Sequence, residues 1–158
     1  MKSRIAIVLS ITVLATGCAR GLLAPQWGVQ DGQLAACADL HGCVSSQATN
    51  PGNLIAPLVF VSNRVDARND LLSVLRTFRD AQVVSIHPSY LRVEFAGREA
   101  SGAATTLDIA EFYLPPGEQL IQVRSTPRRN MPDSGENRMR IEMVRTRFYA
   151  LQEARGTP

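Results

Sequence analysis

The sequence predicts an α+β domain: a four-stranded antiparallel meander with two helices packed on one face. Three observations predict it. Leu71, Val74, Leu75 and Phe78 recur at helical spacing. Leu91, Val93 and Phe95 alternate with Tyr90, Arg92 and Glu94, the period of a half-buried strand. A second helical stripe, Ile141, Val144, Phe148 and Leu151, follows two more extended segments set off by turn residues. The order is therefore α, β, β, β, β, α, and strands joined by short turns pair with their sequence neighbours.

Asn63 or Asp66 caps the first helix, which is expected to run to about Asp80. Val83 to His87 is rich in β-branched residues, and Pro88 and Ser89 turn the chain into the alternating strand. Residues 97–104 are Gly, Ala and Ser with two charges, a flexible connection. Thr106 to Leu114 is extended, Pro115, Pro116 and Gly117 turn the chain, and Gln119 to Ser125 returns as a strand. Asp133, with Glu136 three residues on, resembles a capping box for a last helix running to about Glu153. At 158 residues, the chain is one domain with short appendages.

The N-terminal part carries an address. Met1 to Arg4 supply a short basic start through Lys2 and Arg4, and Ile5 to Ala15 form an apolar run of eleven residues, too short for a helix that spans a bilayer. Small residues follow up to Gly17, so 1–17 reads as a secretory signal peptide. Ala15, Thr16 and Gly17 before Cys18 resemble a bacterial lipobox, with Ala15 where Leu is usual. That resemblance implies a lipoprotein: diacylglycerol and a fatty acyl chain such as palmitate on Cys18, with Ala19 favouring the outer membrane on the periplasmic side. Residues 18–36, with Gly, Pro and Gln and no sustained period, read as a tether. Within it, Trp27 is either an interfacial anchor or docked on the domain. The domain is expected over 37–153, with a tail at 154–158.

In an oxidising compartment the C-x5-C pair Cys37 and Cys43 favours a disulfide. Free thiols, or zinc with His41, fit less well. Residues 37–57 read as an ordered loop stapled by these cysteines. The net charge of +3 shrinks once Lys2 and Arg4 leave with the signal, because the remainder carries 15 basic and 14 acidic residues. Charge therefore identifies no nucleic-acid partner.

Three stretches resemble the bacterial family known as domain of unknown function 1499. They are Cys43, Val44, Ser45, Ser46, Gln47 and Ala48; Asp108, Ile109, Ala110, Glu111 and Phe112; and Arg124, Ser125, Arg128, Asp133, Gly135, Asn137, Arg138, Arg140, Ile141 and Glu142. Ile109, Pro127 and Asn130 stand where the family has Asp, Ser and Gly. The resemblance supplies a relative and no reaction.

Arg124, Arg128, Asn137 and Arg138 can converge beside a helix N-terminus, an environment suited to phosphate, sulfate or carboxylate. The alternative is internal pairing. If the Pro115 to Glu118 turn sets the register, Asp108 lies nearly opposite Arg124, and Arg138, Glu142 and Arg145 form an exposed salt-bridged line. For catalysis, Ser45 and Ser46 lack a nucleophile elbow, His41 and His87 have no partner spacing, and Asp108 and Glu111 point to opposite faces of a strand. The sequence thus reads as a non-catalytic envelope lipoprotein without cofactor or metal. It binds an anionic small molecule or lipid headgroup, or else serves as a protein-interaction or structural module.

Overall fold

A computed structural model describes residues 27–37, 42–98, 104–127 and 135–156. The elements are β1 (Val29–Gln30), β2 (Gln33–Leu34), β3 (Val44–Ser45), β4 (Leu58–Val59), α1 (Arg64–Leu75), β5 (Ala81–His87), β6 (Tyr90–Arg98), β7 (Ala104–Tyr113), β8 (Leu120–Pro127) and α2 (Glu136–Ala154).

The class is α+β with two helices, but the expected four-stranded meander is wrong: the main sheet has six strands. Its order is β3-β8-β7-β6-β5, and β4 also pairs with β8. Val44 and Ser45 lie opposite Ser125 and Arg124, while Leu58 and Val59 lie opposite Ile121 and Leu120. Thus β3 and β4 lie end to end along the edge of β8 that β7 leaves free. Burial explains the addition. Val123, Arg124, Ser125 and Thr126 are all buried, and a buried strand cannot leave a row of amides unpaired. A separate two-stranded hairpin, β1 with β2, occupies part of the segment read as tether. Asp31 and Gly32 form its turn, both with positive φ (50° and 75°), the twist that suits a two-residue hairpin.

The helical stripes are formed as the periodicity predicts. Leu71, Val74, Leu75 and Phe78 share one apolar cluster with Ile141, Val144, Phe148, Leu91, Val93, Phe95, Phe112 and Val123. Asn63 is the N-cap of α1, its side-chain oxygen accepting from the Asp66 amide at 3.0 Å. The helix stops at Leu75, short of Asp80, where the Thr77 and Phe78 amides tighten onto Val74 and Leu75. Phe78 stays in the core, edge-on to Phe95 with centroids 5.8 Å apart. At the start of α2, Gly135 is the residue before the first turn, with φ 90° and no side-chain cap; Asp133 lies outside the described residues. Among those residues no helix is long and apolar enough to cross a membrane.

The C-terminal end of α2 is tied to α1 by Arg155 and Asp70, 2.6 Å apart. Asp70 is buried and Arg155 about half exposed. Burial raises the Asp70 carboxyl above its ordinary value, Arg155 offsets part of that, and nearby Asp66 adds to it. A carboxyl with a raised folded pKa binds its proton more readily in the folded state, so its charged form weakens the fold at neutral pH. That penalty disappears as pH falls through the folded pKa. Asp70→Asn is therefore expected to leave neutral-pH stability unchanged or slightly raised, rather than losing the ~3–5 kcal/mol typical of a broken buried pair, because water can re-solvate Arg155. Urea unfolding at pH 7 and in acid checks this, with any gain shrinking in acid.

Candidate functional site

The six-stranded sheet splits its polar residues between two faces. On β7, Asp108, Ala110 and Phe112 face the helices, while Ile109, Glu111 and Tyr113 face outward, as strand alternation requires. The register places Arg92, Glu111, Arg124 and Ser45 side by side across β6, β7, β8 and β3. Glu111 is fully buried on the outer face. Its Oε2 accepts from Arg124 Nη1 at 2.7 Å, and its Oε1 accepts from the Tyr90 hydroxyl at 2.7 Å and the Gly28 amide at 2.6 Å. Trp27 covers the Arg124 guanidinium, 5.9 Å from ring centroid to Cζ. Burial and the bond to Glu111 push the Tyr90 hydroxyl far above its ordinary value, so it stays protonated and donates.

The expected Asp108–Arg124 pair is therefore corrected to Glu111–Arg124. Pro115 and Pro116 have no amide hydrogen to extend the ladder, and β8 begins only at Leu120, which slides the register by three residues. An odd slip also exchanges the faces. Asp108 instead accepts from Arg140 Nη2 at 2.8 Å on the helix side. Arg140 also donates to Asn137 Oδ1 at 2.8 Å and lies over the Phe95 ring at 4.8 Å. Asn137 Oδ1 accepts from the Ser125 hydroxyl as well, at 2.5 Å.

Arg138 is not part of an exposed charged line. Its two terminal nitrogens donate to the carbonyls of Leu54 and Gly52, both at 2.9 Å. Arg145 pairs with Glu142 at 2.9 Å, as the helical spacing suggests, and also donates to the carbonyls of Ala56 and Pro57. These two arginines hold the loop that delivers β4 to the sheet. Of the residues read as a ligand cluster, Arg124 belongs to the outer face, while Asn137 and Arg138 are held on the helix side. Arg128 and Cys18 lie outside the described residues.

The Cys43 to Ala48 stretch serves the same architecture. Cys37 and Cys43 form a disulfide, with their Cα atoms 5.5 Å apart. Gln47 grips the hairpin, accepting from the Leu34 amide at 2.8 Å and donating to the Gly32 carbonyl at 3.1 Å. The Ser46 hydroxyl bridges β3 to β8, donating to Gln122 Oε1 at 2.6 Å and accepting from the Val123 amide at 2.8 Å.

Sequence reasoning missed a surface groove of about 560 Å³ between the α1–β5 turn, the end of β6 and α2. Phe78 and Phe95 line it together with Arg79, Arg147, Met139 and Met143. Met139 and Met143 are well exposed, and Arg147 stacks on Phe78 at 4.0 Å. The signal was present: these methionines lie four residues apart on the side of α2 away from its apolar stripe. Among the described residues, no group of three or more His, Cys, Asp or Glu side chains is placed to hold a metal ion.

Fold and site define an α+β domain that uses its own arginines to close its polar interior and pin an N-terminal strap. The chain belongs to the family described as protein of unknown function DUF1499, whose model matches residues 33–148. No curated protein and no solved structure matches it.

Glu111→Gln removes the charge that balances buried Arg124 and is expected to cost on the order of 3 kcal/mol in urea unfolding. Trp27 emission should shift to the red as the strap loosens. Adding Arg124→Met should cost less than the sum of the single changes, since the stranded charge is gone.

Proposed function

We propose that this chain is a non-catalytic, lipid-anchored interaction module of the bacterial cell envelope, held to a membrane through Cys18 and engaging envelope proteins. The observation that carries the choice of partner is the internal use of the arginines. For an anion to bind at Arg124, the guanidinium must leave a fully buried Glu111 and the covering Trp27. At Arg138 the anion must displace two carbonyls, and Asn137 is already fixed between sheet and helix by the serine and the arginine that donate to its Oδ1. At Arg124 the exchange strands a buried carboxylate whose desolvation has already been compensated.

The non-catalytic reading is supported by the same geometry. Asp108 and Glu111 lie on opposite faces, each closed by its own arginine, so they share no reacting atom. A groove with adaptable methionines at its edge suits contact with another protein. The lipobox-like segment before Cys18 supports the anchor, and the Cys37–Cys43 disulfide fits an oxidising compartment.

Membrane fractionation is the first test. The native chain should sediment with membranes, whereas Cys18→Ala should leave an unprocessed or mislocalised precursor. Sulfate or phosphate, compared with chloride at matched ionic strength, should not raise the unfolding midpoint. A rise of several degrees that disappears in Arg124→Met would return the anion-binding reading.

A further inference from the structure

We infer that the outer face of the sheet, where Trp27 and the β1–β2 hairpin lie, is the face the domain turns toward the lipid bilayer. This inference rests on the lipid anchor proposed at Cys18 and adds an orientation to it. Trp27 and Gly28 are pinned to Arg124 and Glu111 on the sheet face opposite both helices. The hairpin that follows is held by Gln47, and the chain leaves it into the Cys37–Cys43 disulfide. The strap is thus fixed at both ends.

Only nine residues carry the chain from Cys18 to Trp27. Fully extended, they reach roughly 30 Å, and a coil of that length spans about 15–18 Å. A domain of this size has a radius of gyration on the order of 14 Å, hence a diameter near ~35 Å. The coil span is about half that diameter. With the attachment point on the outer face, the helix face cannot meet the bilayer unless the linker wraps around the domain close to its extended limit. The bilayer therefore occupies the hairpin side. The exposed Met139, Met143 and Val65 on the two helices are presented to the aqueous side, where a protein partner can reach them.

The chain has one tryptophan, which makes the test direct. The acylated full-length protein is placed in phosphatidylcholine vesicles that carry a dansylated headgroup lipid. Flotation reports the anchor, and energy transfer from tryptophan to dansyl reports distance. In floated vesicles, transfer from Trp27 should be at least about twofold stronger than from a Trp27→Phe, Met143→Trp variant that retains its circular dichroism. Inserting a roughly twenty-residue Gly/Ser segment after Arg20 lengthens the coil span to about 27–32 Å and should remove most of that difference. If the variant does not fold, acrylamide quenching of wild-type Trp27 replaces the comparison, and it should weaken on vesicle binding. Flotation with equal or stronger transfer from the helix-face tryptophan, or with unchanged acrylamide quenching, overturns the orientation and leaves the anchor intact. Failure to float overturns the anchor and the orientation together.

Discussion

Glu111 is a carboxylate with no access to water, and the fold is arranged so that it never lacks a partner. An isolated buried charge of this kind is expensive. Three donors from three parts of the chain cover its two oxygens: Arg124 from the neighbouring strand, Tyr90 from the start of β6 and the Gly28 amide from the strap. Such an arrangement specifies position more than it adds stability, because the desolvation of both ions offsets much of their attraction. It fixes the β7–β8 register, seats the strap and places the aromatic cover of Arg124 in one step.

The other arginines follow a related rule. Arg138 and Arg145 reach backbone carbonyls of a loop that has no regular structure of its own, while Arg140 bridges sheet and helix through Asp108 and Asn137. A guanidinium presents several donors in one plane, which suits paired carbonyls better than an ammonium does. The arginine-rich composition thus has a structural use, with side chains substituting for the strand pairing that β3 and β4 are too short to provide.

Much of the fold was legible because it is local. The stripe from Leu71 to Phe78 and the alternation from Tyr90 to Phe95 are short-range patterns, and both are formed. Two-residue strands have no period to detect, so β3 and β4 were hidden in a segment that reads as loop. The hairpin did leave a mark, since Asp31-Gly32 is a turn dipeptide, but its flanks are too short to carry alternating apolar residues. The ion pairs were half legible. Their residue types were evident, yet the partner of Arg124 depends on a register that two prolines displace by three positions. The partners of Arg138 are carbonyls, which every residue owns and no sequence marks.

The strap reverses the order of synthesis. Gly28 emerges early, but its acceptor on Glu111 follows 83 residues later, and the carbonyls held by Arg138 and Arg145 wait 84 to 89 residues for their donors. Loop-closure entropy must be met before contacts of such span can form. The strap around Gly28 therefore stays undocked until β7 has been made. Until that strand exists, whatever meets the growing chain finds the strap outside the domain, before its acceptor has drawn it in.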